Sequence, residues 1–316
     1  MDYIKLFITF FKLLDIKTKN EICHCLYKKL KPLELQRLDK ILMLQEFLLT
    51  DNFNIDKTKE IIDDYLKYAG WTIKFNLLKE AKEFLTKNKI NVSTLLELSS
   101  GRGNDLKKWS EAKIENVIGL DIDPEQHKEA IKRYKYRHKS INVKVKYYLG
   151  SALDYNLVKS ILKNSKVNLI ANNFAMNYFF KDQETIDSFF RVVSDSLNTG
   201  GLFIGTATDG DAIDYLIKNR PNDLKNNLFS IEPINSNSYK FKLETPFFKD
   251  NENSHFITEY IINKNNLILN AKKFSLEPVS IIKDLDSVFN FTEFHDCPKN
   301  IYGIASLYFG FSFIKV

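Results

Sequence analysis

The chain has 316 residues, 44% of them hydrophobic, with 46 Lys and Arg against 40 Asp and Glu for a net charge of +6. That size and apolar content exclude a disordered or fibrous chain and fit one large α/β domain, or a medium domain with an appendage. The charge suits an anionic partner without naming one, and three cysteines, an odd number, argue against a disulfide framework and for a reducing, cytoplasmic-type compartment.

Residues 4–14 are apolar but interrupted by Lys5 and Lys12, too short a run to cross a bilayer and without the basic start of a signal peptide. No membrane partner is expected. At helical spacing Ile4, Phe7, Ile8, Phe11 and Leu14 share one face, the pattern of an amphipathic helix that packs on a core or a partner. Three-and-four spacing continues through 22–30, 33–49 and 61–66, broken at Pro32 and Asp51-Asn52. Residues 1–68 are therefore predicted to be a helical N-terminal extension, and 69–316 the main domain. Cys23-His24-Cys25, with His295 and Cys297 far downstream, lacks the ligand spacing of structural zinc, so no metal is expected.

From Thr94 the texture changes to short apolar runs at 94–98, 117–121, 143–148, 167–172 and 202–206, separated by amphipathic segments. Strands alternating with helices predict βαβ units and a mostly parallel sheet with helices on both faces, an α/β Rossmann-like fold. The last third reads as strands at 238–243, 256–263, 267–274 and 304–315 between Asn-rich turns, which points to antiparallel pairing. The Asn- and Lys-rich stretches 219–227 and 249–254 read as surface connections.

The strongest local signal is Leu98-Ser99-Ser100-Gly101-Arg102-Gly103-Asn104-Asp105-Leu106, a strand that stops at small residues and runs into a helix. Small residues let backbone approach a ligand closely. The full dinucleotide fingerprint is absent, since only Gly101-x-Gly103 is present. Asp121 ends the next strand, where nucleoside-binding α/β proteins place a carboxylate for ribose hydroxyls. A turn without a phosphate-binding lysine, followed by that acid, fits a nucleoside better than a nucleotide.

The wider string Gly101-Arg102-Gly103-Asn104-Asp105-Leu106-Lys107-Lys108-Trp109 resembles the G-K-G-G-D-L-x-K-W stretch of eukaryotic and viral mRNA cap guanine-N7 methyltransferases, which are S-adenosylmethionine-dependent. Asn173-Phe174-Ala175-Met176-Asn177-Tyr178 is similar to that family's Q-F-x-x-H-Y segment, and Thr199-Gly200-Gly201-Leu202-Phe203-Ile204-Gly205-Thr206 to its poxvirus-like version of the next strand. Thr258-Glu259-Tyr260 resembles the cap-facing acidic segment, Ala305-Ser306-Leu307-Tyr308 the closing strand, and Asn76-Leu77-Leu78-Lys79 the N-x-x-K element. The resemblance runs from about 70 to 316 in family order. Glu97 stands where the family has Asp, Ser99-Ser100 where it has Gly-Cys, Asn177 where it has His, and Ser151 where it has the adenine-side acid.

That resemblance implies Lys79, Glu97, Ser99, Gly101, Gly103, Asp105, Asp121, Ser151 and Asn173 for the cofactor S-adenosylmethionine, with Asp154 able to stand in for Ser151. It implies Asn76, Phe174, Asn177, Tyr178, Glu259 and Tyr308 for the guanine cap, with Glu259 and Tyr178 positioning the substrate. Guanine N7 already carries a lone pair, so methyl transfer needs aligned reactants and no general base from the protein. The implied partner is the 5′ end of a capped RNA, and other capping-enzyme subunits could dock on the N-terminal helices. Two other readings fit the same residues: a class I methyltransferase with another acceptor, and an inactive RNA-binding or scaffolding homologue.

Overall fold

The computed structural model describes residues 73–225, 229–243, 256–291 and 307–316. The predicted extension 1–68, the Cys23-His24-Cys25 segment, His295, Cys297, the 249–254 connection, Ala305 and Ser306 lie outside the described residues. Among the described residues, no helix is long and apolar enough to cross a membrane.

The elements follow in chain order. Helix α1 covers 73–87, then β1 (Thr94–Leu98), α2 (Leu106–Glu111), β2 (Asn116–Asp121), α3 (Pro124–Arg137), β3 (Lys144–Leu149) and α4 (Tyr155–Ile161). Next come β4 (Val167–Asn173), a 3-10 turn at Met176–Phe180, α5 (Gln183–Ser196), β5 (Leu197–Thr208) and α6 (Gly210–Asn219). The remainder is β6 (Phe229–Asn235), β7 (Ser238–Leu243), β8 (Ile257–Tyr260), α7 (Lys264–Lys272), β9 (Leu276–Pro278), β10 (Val288–Asn290) and β11 (Tyr308–Lys315).

The main sheet runs β10-β11-β5-β4-β1-β2-β3, with β9 also paired to β11. The β1-β2, β2-β3, β1-β4 and β4-β5 pairs are parallel, whereas β9, β10 and β5 meet β11 antiparallel. The five predicted parallel strands and the antiparallel return are present. From β1 the chain winds outward through β2 to β3, then crosses back to β4 on β1's other side. This reversal opens a crevice at the carboxyl ends of β1 and β4, where ligands of doubly wound sheets bind.

Strand alternation explains the layering, since neighbouring residues point to opposite faces. Leu95, Leu169 and Ile204 pack with Leu77, Leu78, Ala81 and Leu85 of α1 and Trp109 of α2. Their neighbours Leu96, Ile170 and Phe203 pack on the other face with Val158 of α4, Phe189 and Phe190 of α5 and Leu267 of α7. A second, antiparallel sheet of order β6-β7-β8 carries its own apolar cluster of Phe229, Ile231, Tyr239 and Phe241 against Ile213 of α6.

One predicted strand is a helix. Residues 264–272 form α7, where Leu267 and Ala271 are buried four residues apart while Leu269 is 62% exposed, a helical and not an alternating pattern. Strand β6, which contains Pro233, was not among the predicted strands. It lies at the edge of the small sheet, where a missing N–H costs no ladder bond on the solvent side.

Candidate active site

Three of the five residues from Ser99 to Gly103 have positive φ: Ser99 at 61°, Gly101 at 52° and Gly103 at 67°. Positive φ in a serine marks local strain of the sort found at ligand sites. The turn is tied to the acid it faces, since the Gly101 N–H donates to Asp121 Oδ2 at 2.7 Å and the Asp123 N–H donates to Asp121 Oδ1 at 3.0 Å. A Cβ on Gly101 would meet nothing within 4 Å, so the backbone there faces open space. A Cβ on Gly103 would collide with the Tyr147 hydroxyl.

Gly103→Ala is accordingly expected to lower unfolding free energy by about 1–3 kcal/mol, from the left-handed backbone and the clash together. Urea unfolding in wild-type and Tyr147→Phe backgrounds would read this. The loss should shrink when the hydroxyl is gone, and equal losses would show that Tyr147 is not the obstacle.

Below the turn lies a compact group of charges. Lys74 Nζ of α1 and Lys108 Nζ of α2 donate to the two oxygens of Asp105, at 3.1 and 2.5 Å. Glu97, 2% exposed at the end of β1, has one oxygen 3.5 Å from the Asn173 amide nitrogen, and its Oε2 has no partner. Burial opposes ionisation of Asp105, but Lys74 and Lys108 outweigh it and hold that carboxyl below the usual range. Burial, reinforced by Asp105, pushes Glu97 well above it.

Lys79 is not in this group. It is exposed and pairs with Glu83 at 3.6 Å along the outer surface of α1. Five residues of helix turn the side chain about 140° away from Lys74, and Lys74 shares its row with buried Leu78 and Ala81. Phase against the apolar stripe, not motif spacing, identifies Lys74 as the lysine that reaches the site. Asn76 is half-buried on α1, and no hydrogen bond joins it to the site among the described residues.

Around Asp121 two apolar side chains that sequence reasoning passed over stand in the open: Ile122, 70% exposed, and Leu149, 50% exposed, the register partner of Asp121. Ser151 Oγ accepts from the Leu153 N–H at 3.1 Å and so closes a turn. The exposed Asp154 caps α4, its Oδ1 accepting from the Leu157 N–H at 3.0 Å.

The carboxyl end of β4 leads into an aromatic wall. Phe174 adopts φ 56°, fixed by its N–H donating to Thr206 O at 2.8 Å. Its ring meets Tyr308 edge-on at 5.4 Å and Phe291 at 6.1 Å, and Lys74 Nζ lies 4.9 Å from its centroid. Glu259 of β8 faces the same wall. Its Oε2 accepts from the Tyr239 hydroxyl at 2.8 Å and from Thr208 Oγ1 at 2.9 Å. Burial raises the Glu259 pKa, and the two hydroxyls pull against it.

Tyr178, 42% exposed, joins the two halves. Burial first, then the carboxylates of Glu259 and Asp121, push its phenol up to about 12. Burial and Glu259 also raise Tyr308. Asn177, read from the sequence as a cap contact, instead lies buried. Its amide donates to Tyr260 O at 3.3 Å and accepts from the Thr208 N–H at 3.1 Å, so it splices the 3-10 turn to β8 and β5. Thr208, Tyr239 and Phe291 escaped the sequence reading because only the folded chain brings them beside Glu259 and Phe174.

A family model described as the mRNA (guanine-N(7))-methyltransferase domain matches residues 56–295, reaching back into the segment read as an extension. The chain is 31% identical over 171 residues to the mRNA cap guanine-N(7) methyltransferase of Caenorhabditis elegans, covering 53% of this chain and 45% of that one. To its Saccharomyces cerevisiae counterpart it is 26% identical over 204 residues, covering 59% and 46%. The chain thus spans about half the length of these curated relatives. Both are eukaryotic, so they lend no support to the viral leaning of the sequence reading. Among solved structures, an S-adenosylmethionine-dependent methyltransferase from Clostridium acetobutylicum aligns with TM-score 0.51 at 14% identity, covering 76% of this chain and 90% of that one. Streptomyces venezuelae DesVI aligns with TM-score 0.50 at 12% identity, covering 84% and 100%. At such identities the likeness speaks for the fold alone.

Proposed function

The chain belongs to the mRNA (guanine-N(7))-methyltransferase family, and from that premise we propose that it transfers a methyl group from S-adenosylmethionine to N7 of the guanine capping an RNA. Its fold is the Rossmann-like fold of class I S-adenosylmethionine-dependent methyltransferases. The observation that carries the proposal is the position of Lys74, whose Nζ lies 3.1 Å from Asp105 Oδ2 below the glycine turn and 4.9 Å from the Phe174 ring centroid in the aromatic wall. The nucleoside cradle and the aromatic, acidic slot are therefore neighbours.

The residues present fit the cofactor. Open space over Gly101 admits a ligand against the backbone. The unpartnered Glu97 Oε2 suits an ammonium group, and Lys74 a carboxylate, the two ends of an amino acid. Asp121 suits ribose hydroxyls, and exposed Ile122 and Leu149 suit the apolar face of a base. When bound, S-adenosylmethionine supplies a methyl group on a sulfonium leaving group.

The chain's own task is to hold the acceptor in line. Phe174, Tyr178 and Tyr308 offer an aromatic seat, and Glu259 accepts hydrogen bonds from the Watson–Crick edge of guanine. The same carboxylate favours the positive charge that grows on the base as N7 is alkylated. Alignment of two held reactants can supply roughly 7–11 kcal/mol, so no general base is required of the protein.

The test is transfer of labelled methyl to a guanosine-capped RNA. Asp121→Ala should weaken S-adenosylmethionine binding roughly 10- to 100-fold, the worth of hydrogen bonds to a charged group, and reduce transfer with it, as calorimetry and label counting would show. Label that reaches another acceptor but never capped RNA would overturn the cap assignment. The amphipathic N-terminal sequence is proposed to dock another capping subunit, and association that survives deletion of residues 1–60 would remove that idea.

A further inference from the structure

Between Pro124 and Lys166 the chain carries eleven Lys and Arg against three Asp and Glu, a surplus larger than the +6 of the whole sequence. Within this stretch β3 is the last strand of the main sheet and α3 packs against it. Within α3 and the turn that follows, Lys128, Lys132, Lys135 and Lys139 recur at three- and four-residue steps and are all exposed. At that spacing their side chains form a single row. Lys128 and Lys132 approach Glu125 and Glu129 only at 3.9 and 3.8 Å, contacts worth little in water. Beside the row stands Tyr136, 88% exposed.

The row begins about one turn into α3, which itself opens two residues after Ile122, and from Lys128 to Lys139 it runs for about 17 Å at 1.5 Å per residue.

We infer that the lysine row of α3 tracks the phosphate backbone of a single-stranded RNA whose 5′ end occupies the active site. Lysine is depleted at the centres of protein–protein interfaces but is a main source of phosphate contacts, so this composition favours RNA over an acidic protein. Tyr136 gives an unpaired base a ring on which to stack. The inference takes from the cap reading only that the substrate is RNA.

Fluorescence anisotropy with an uncapped RNA longer than the roughly 4–16 nucleotides that a single-strand-binding fold covers tests the surface directly. The triple variant Lys128→Gln, Lys132→Gln, Lys135→Gln should bind about tenfold more weakly at low salt, with the log–log salt slope flatter by about 2. A matched triple of exposed lysines elsewhere, Lys218→Gln, Lys272→Gln, Lys283→Gln, should bind as wild type does. In steady-state assays the α3 variant should raise KM for long capped RNA while leaving the capped dinucleotide unchanged, which also certifies its fold. Wild-type affinity in the α3 variant, equal loss in the matched control, or capture of an acidic protein with RNA binding untouched would each overturn the inference. Because the binding arm needs no cap, it decides the surface even if cap methylation itself fails, and a failed surface leaves the methyl-transfer result standing.

Discussion

Asp105→Ala is expected to destabilise the chain by about 3–5 kcal/mol, the cost of breaking a buried ion pair and leaving its partner behind. The group most affected is Lys108, which is 5% exposed and held at 2.5 Å by Asp105. Lys74 fares better, because removing Asp105 also removes one of the groups that raise the Glu97 pKa, which favours a negative charge on Glu97 beside it. The pH dependence has a definite sign. Asp105 has a folded-state pKa below its unfolded one, so its contribution is present above the ordinary carboxylate range and disappears as pH falls through the lowered value. The gap between wild type and variant should therefore narrow in strong acid. A second variant separates stability from binding: Asp105→Ala with Lys108→Met removes the buried cation that faced Asp105 and should recover part of the stability. Cofactor affinity should stay at least about tenfold weak, because Lys74 has lost the carboxylate that aims it. Urea unfolding and calorimetry with S-adenosylhomocysteine would report the two effects. A single variant as stable as wild type at neutral pH would show that this cluster is not paired as described.

What the sequence disclosed was what depends on neighbours in the chain. The strand at Thr94–Leu98, the glycine turn and Asp121 follow from apolar runs, small residues and a strand-ending acid, and all three occupy the carboxyl edge of the sheet. What it hid depends on phase and on distant pairing. Lys79 and Lys74 both belong to a Lys-rich amphipathic stretch, and only the helix phase set by Leu77, Leu78, Ala81 and Leu85 turns Lys74 inward. In the run Leu267-Ile268-Leu269 three consecutive apolar residues fit a strand as well as a helix, until Leu269 is seen in solvent and Leu267 and Ala271 in the core. Tyr239 was invisible as a partner of Glu259 because β7 and β8 pair antiparallel across a long connection and set the two residues in register. Asn177 looked like a ligand contact through its place in a motif, yet its amide is occupied by two backbone groups.

That register pair leads to the other large effect. Glu259→Ala should lower methyl transfer to capped RNA by about 10²–10³, the usual worth of a group aimed at charge that develops in the reaction, while S-adenosylhomocysteine affinity stays near wild type. Equal loss of both would mean that Glu259 belongs to the cofactor half of the site. The ionisation of Glu259 adds a finer test. Its pKa is raised by burial and restrained by hydrogen bonds from Tyr239 and Thr208; the described groups that face it are the phenols of Tyr178, Tyr239 and Tyr308, and none is a cation. A carboxylate whose pKa is raised by burial loses its charge as pH falls through the raised value, and cap binding should fall with it. Tyr239→Phe removes one of the two donors, so the pKa rises further and the acid limb of kcat/KM should move to higher pH. Above that limb the variant should approach wild type, whereas Glu259→Gln should be impaired at every pH and show no such limb. Thr208→Val should shift the limb in the same direction, and the double variant should shift it furthest. If Tyr239→Phe instead lowers activity uniformly across pH, the phenol serves only to pack the small sheet. The charge on Glu259 would then have to be governed by something other than the two hydroxyls that touch it.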